Sequence, residues 1–145
     1  MQTDIQRPRW LNYAACLWAL GFATPHVWWA LGSPVGFPGG SASHQILMTS
    51  RWRYTFDLIV VAMSLLGAVV ACGLGTRRLA KQQRMFRGMA WTAAALLAVR
   101  GVAGLVVDRA SDPIWWPTFL TGGLLFGAVA LTNRNLGRPE SSAVA

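Results

Sequence analysis

Trp91-Thr-Ala-Ala-Ala-Leu-Leu-Ala-Val-Arg100-Gly-Val-Ala-Gly-Leu105 decides how this chain folds. It is the centre of an apolar run, roughly Phe86–Val107, long enough to cross a bilayer as a helix rising about 1.5 Å per residue. Outward from it lie three more such runs, roughly Trp10–Leu31, Tyr54–Gly75 and Ile114–Thr132. In hydrocarbon every backbone N–H and C=O must be bonded within its own segment, so each run is read as a helix. The expected fold is all-α, an integral membrane antiparallel four-helix bundle, with residues 1–145 as one domain. An ionisable group inside such a span is costly, so Arg100 calls for a partner or a purpose.

Composition points the same way. Charged residues make up 12% of the chain and hydrophobic ones 54%, whereas a soluble domain carries about 25% charge. Mean hydropathy is +0.39. The net charge of +8 would suit nucleic acid, but the positions of the charges argue against that partner. Arg77, Arg78, Lys81, Arg84 and Arg87 fill the link between runs two and three, Arg7 and Arg9 precede run one, and Arg134 and Arg138 follow run four. Only Arg51, Arg53 and Arg109 fall on the opposite side. The positive-inside rule then puts both termini in the cytoplasm and the protein, multi-pass, in the cell membrane. The basic link is a site for anionic lipid heads. The remaining partners expected are membrane lipid and a lipophilic small molecule, with homo-oligomerisation left open.

Small residues recur at four-residue spacing: Gly67, Ala71 and Gly75 in run two, Ala90, Ala94 and Ala98 in run three, Gly123 and Gly127 in run four. Such stripes let helices approach closely in lipid. Pro25 should kink the end of run one. That run, with Arg7 and Arg9 ahead of it, is too long and too rich in tryptophan for a signal peptide. The long link Gly32–Arg53 opens with turn chemistry and continues as a more apolar stretch that reads as a surface-lying helix; the whole is read as a lid. Cys16 and Cys72 have comparable depths in runs one and two, but no C-x-x-C is present, so they are read as small packing residues.

The polar groups converge by depth. His26 lies about 8 Å, Asp57 about 5 Å and Arg100 about 10 Å inside the same face of the membrane, with Asp108 at the mouth. Asp57 and Arg100 could form an ion pair locking two helices. Alternatively Asp57, desolvated, would be a neutral acid able to give up a proton. His26 could relay that proton or simply bond a carbonyl freed by Pro25; His44 reads as an ordinary surface histidine. Trp28, Trp29, Trp52, Trp115 and Trp116 map to the same layer, as an interfacial belt or a pocket wall. Trp18, Phe22 and His26 recur every four residues, as do Trp115 and Phe119, which puts each set on one helix face. These rings either pack the core or line an apolar pocket. Asp57, His26 and Arg100 are the candidate catalytic residues. Trp18, Phe22, Trp28, Trp29, Trp115, Phe119 and Asp108 are the candidate substrate contacts.

Two histidines and five acids, mostly scattered, form no metal-ligand cluster, and no cofactor is expected. The half of the membrane away from this layer carries little that is polar, which argues against a continuous transport path.

His26-Val-Trp-Trp-Ala-Leu-Gly32, with Arg100-Gly-Val-Ala-Gly104, resembles a family of small four-span membrane proteins common in actinomycetes and known as a domain of unknown function. That resemblance implies the fold and no activity. In size, topology and site character the chain also looks like the membrane-bound terpene cyclases of bacterial indole-sesquiterpenoid and meroterpenoid pathways. That second likeness is an analogy. It implies acid-initiated cyclisation or isomerisation of an isoprenoid chain without a metal. The alternative is a non-catalytic membrane protein that binds a lipid or a partner.

Overall fold

In the computed structural model the described residues are 9–37, 51–76 (51–54 as backbone only), 81–107 and 113–133. They form four helices: α1 (Arg9–Ala30), α2 (Arg51–Leu74), α3 (Gln83–Val107) and α4 (Trp115–Thr132). These bounds follow the four apolar runs to within three residues. His44, Arg77, Arg78, Asp108 and Arg109 lie outside what is described, as do the Trp52 side chain and residues 38–50 of the lid segment, whose last residues, 51–53, open α2.

Neighbouring helices run antiparallel. Asn12 near the start of α1 meets Ala71 near the end of α2, while His26 near the end of α1 meets Asp57 near the start of α2. Gly123 and Gly127 of α4 lie against Ala98 and Ala94 of α3 in opposite order. Trp18 and Phe22 of α1 meet Phe126 and Phe119 of α4 in the same sense. The α1/α2 and α3/α4 hairpins are the two tightest pairs, and α2 touches α4 across the diagonal where Gly67 meets Phe126.

The stripes of small residues lie at these seams. Ala15, Ala19, Ala68, Ala71, Ala90 and Ala94 are all buried, with few large side chains among them. A Cβ on Gly123 would come 3.1 Å from the backbone nitrogen of Ala98, so the α3/α4 approach depends on glycine there. Leu17, Phe56, Ile59, Met63, Leu96, Val99 and Leu124 point outward instead. Small inside and large apolar outside suits a lipid solvent, where close packing rather than expulsion of water joins helices. Hydroxyls obey the same constraint. Those of Thr24, Ser64, Thr92, Thr118, Thr121 and Thr132 each donate to the carbonyl four residues earlier in their own helix, which removes an unmet donor from an apolar surface.

Three helical stretches, Thr55–Leu74, Gln83–Val107 and Trp115–Thr132, are long and apolar enough to cross a membrane. α1, expected as a fourth, has the length at 22 residues but is not among them. Asn12, Tyr13, Thr24, Pro25 and His26 dilute its hydropathy.

α1 ends in a Schellman motif. Gly32 has φ +93°, its N–H donates to Trp29 O, and Ser33 N–H donates to Trp28 O. The left-handed residue suits glycine because it has no Cβ. Away from the seams glycine has no such role. A Cβ on Gly88 in α3 would meet nothing within 4 Å. Gly88→Ala should therefore stabilise the protein by about 0.5–1 kcal/mol through the lower backbone entropy lost on folding. Denaturant titration in detergent micelles measures this, and a loss of stability would contradict the open environment assigned to Gly88.

Candidate functional site

The helix registers bring α1, α2 and α4 together at the end of the bundle where α1 finishes. His26 and Asp57 are 8% and 3% exposed, and Nδ1 of His26 lies 3.0 Å from Oδ1 of Asp57. With its hydrogen on Nδ1, the imidazole donates to the carboxylate. Nε2 then carries the ring's lone pair. Sequence placed these two groups at one depth; the structure makes them hydrogen-bonded partners. His26 thus bonds a side chain on the next helix rather than a carbonyl freed by Pro25.

Aromatic rings gather around the imidazole of this pair. Trp18 and Phe22 stack at 5.2 Å between centroids, 8° from parallel, and Phe22 lies 5.2 Å from the His26 ring. α4 contributes Phe119, 5.4 Å from Phe22, and Trp115, 6.2 Å from Phe22 and 6.4 Å from His26. Trp29 closes over the imidazole at 4.9 Å and meets Trp115 at 5.4 Å. Most of these contacts are edge-to-face, which places ring edges on the electron-rich faces of neighbours.

Two ring contacts carry the cluster beyond the residues expected from sequence. Phe37 lies 5.1 Å from Trp29, held there by a short turn: Phe37 N–H donates to Pro34 O, Gly36 has φ +70°, and the Trp29 indole N–H donates 2.9 Å to Val35 O. The start of the long link therefore folds back onto the site. At the opposite end Phe126 meets Trp18 edge-on at 6.2 Å, and the Trp18 ring fills the place where a side chain on Gly122 would stand.

Two residues stand differently from the expectation, and a third is not described. Trp28, expected as a substrate contact, is 56% exposed and faces away from the cluster: one residue along a helix is about 100° of rotation, so Trp28 and Trp29 cannot share a face. Arg100 is exposed, and its Cζ sits 5.0 Å from the Phe119 centroid. It joins the layer through a cation–π contact, and His26 is hydrogen-bonded to Asp57. Asp108 lies outside the described residues. Trp116 turns toward α3 beside Gly104, and its buried Nε1 has no hydrogen-bond partner among the described residues. Among the described residues no three His, Cys, Asp or Glu side chains form a group suited to a metal ion.

The pair can be tested by a double-mutant cycle. His26→Phe and Asp57→Leu should each lower stability by about 1–3 kcal/mol, because each removes the buried His26–Asp57 hydrogen bond. Together they should cost clearly less than the sum, because both polar groups are then gone. Additive losses in micellar unfolding would mean that the contact does not form.

No protein-family model matches the chain, and no curated protein or solved structure matches it.

Proposed function

We propose that this protein is an integral membrane enzyme acting on a lipophilic isoprenoid-type substrate by metal-independent acid catalysis, of the terpene cyclase or isomerase type. The observation that carries this reading is the buried His26–Asp57 pair with aromatic rings gathered around its imidazole. In this reading α1 crosses the membrane with the other three helices, both termini are cytoplasmic, and the basic link holds anionic lipid heads. Protonated His26 donates from Nε2 to the epoxide oxygen or alkene carbon of a prenyl chain entering from the bilayer. Asp57, bonded at Nδ1, orients the ring and balances its charge. The carbocation formed passes along ring faces, each worth about 0.5–2 kcal/mol to a cation. Arg100 already occupies a face of Phe119 and repels a second positive charge. The cation is therefore steered toward Trp18 and Phe22. The final cation returns a proton to Nε2, so the net reaction is an isomerisation.

The experiment is to supply membranes containing the protein with a prenylated epoxide and to analyse the extract for a cyclised isomer. Absence of product, with the epoxide recovered intact, would count against the reading.

A second reading, non-catalytic binding of a lipid or partner, is favoured by the mutual contact of the rings, which makes them a packed wall as they stand. It expects an unaltered lipid to co-purify with the protein and Asp57 variants to affect stability alone.

A further inference from the structure

The end of the bundle away from the aromatic cluster holds two thiols that the catalytic reading does not use. Cys16 on α1 and Cys72 on α2 are both free, and their sulfurs are 3.1 Å apart. Helix packing sets this separation. One turn before Cys16, the Asn12 side-chain amide donates 2.8 Å to the carbonyl of Ala71, the residue before Cys72. Ala15, Ala19, Ala68 and Ala71 keep the seam thin. A disulfide needs a sulfur separation of about 2.05 Å, so closure takes a movement of about 1 Å, within reach of side-chain rotation. Cys72 is exposed and Cys16 half-buried, so one thiol is open to an oxidant and the other stands behind it.

We propose that Cys16 and Cys72 are a redox pair that a hydroperoxide converts to a disulfide joining α1 to α2. The Cys72 thiolate attacks a peroxide oxygen: the S–O bond forms, the O–O bond breaks, and the leaving oxygen takes a proton and departs as alcohol or water. Cys72 then carries a sulfenic acid. Cys16 attacks that sulfur, the S–S bond forms, the S–O bond breaks, and the oxygen leaves as water with the Cys16 proton. Two thiols and one hydroperoxide give one disulfide, one water and one alcohol, or two waters from hydrogen peroxide. The sulfurs lose two electrons and the peroxide gains them.

The test uses the full-length protein in native membranes, titrated with hydrogen peroxide in one arm and a fatty-acid hydroperoxide in the other. Remaining thiols are then alkylated and read by intact mass and peptide mapping. The expected result is the loss of two hydrogens per chain, loss of both alkylation sites together, and a reducible cross-link between the Cys16 and Cys72 peptides of one monomer. Formation with either oxidant supports the pair, and the faster arm shows whether the aqueous or the membrane peroxide is the source. The C16S variant should retain a sulfenic acid on Cys72 that dimedone traps, and C72S should show little on Cys16. The proposal is overturned if both thiols stay alkylatable at oxidant levels that consume a free thiol. Cross-links formed only between chains, or Cys72 over-oxidised while Cys16 remains reduced, would overturn it equally.

Discussion

The Asp57→Asn protein is expected to keep its fold and to lose about 10²–10⁴-fold in turnover, the usual contribution of a positioned acid–base group. Asparagine has nearly the shape of aspartate, and its side-chain oxygen can still accept from Nδ1 of His26, 3.0 Å away in the native pair. What disappears is the negative charge. In surroundings built from Phe22, Trp29 and Trp115, an imidazolium has little else to balance it, and the low dielectric enlarges the deficit. The charge partner that orients the ring and accompanies proton transfer at His26 is lost, and the rate falls with it. Circular dichroism checks that the helices persist, and initial rates with the prenylated epoxide measure the loss. Full turnover by Asp57→Asn would remove Asp57 from the mechanism. An inactive Asp57→Asn beside an active His26→Gln would move the proton from the imidazole to the carboxyl.

Phe126→Ala should lower stability by about 3–5 kcal/mol, the range for deleting a buried phenylalanine ring. Phe126 is 2% exposed and reaches two other helices, α1 and α2, from α4. It meets Trp18 of α1 edge-on, and its Cζ lies 3.1 Å from where a Cβ on Gly67 of α2 would stand. The space left cannot readily collapse. Trp18 is held on its other side by stacking on Phe22, and Gly67 and Ala19 have no side chain long enough to reach in. The lost contacts are dispersion contacts, which count in lipid as they do in water. Phe126→Leu, keeping part of the volume, should lose less. Unfolding in mixed micelles gives both values, and a loss below about 1 kcal/mol for Phe126→Ala would mean that the ring is not the junction described.

Some of this was readable from the chain and some was not, for identifiable reasons. Helix formation followed from the length of the apolar runs, because hydrocarbon allows a single open solution for the backbone. The face shared by Trp18, Phe22 and His26 followed from four-residue spacing. The same stripe continues to Trp29 three residues on, and that step was the available signal for choosing Trp29 over Trp28. Likewise Trp115 and Phe119 lead on to Gly122 and Phe126 at spacings of three and four, so Phe126 could have been found. Cys16 and Cys72 matched in depth, which left their contact open. Depth is one coordinate, however, and says nothing of rotation about the helix axis. His26, Asp57 and Arg100 shared a layer on that basis, but which of them touch depends on helix azimuths set by packing at Ala19, Ala68 and Gly123. Phe37 was hidden for another reason: its place depends on one indole–carbonyl hydrogen bond across a turn.

The α1/α2 hairpin has a consequence for how the chain enters a bilayer. α1 is the one helix of the four that is not apolar enough by itself to cross a membrane, and its long-range side-chain bonds, Asn12 to Ala71 and His26 to Asp57 among them, run to the segment synthesised directly after it. The groups that would hinder α1 as a solitary insert are therefore neutralised within the first hairpin, before α3 and α4 leave the ribosome. In the reading that carries α1 across the membrane, its partitioning into lipid would be tied to the arrival of α2 rather than to its own composition.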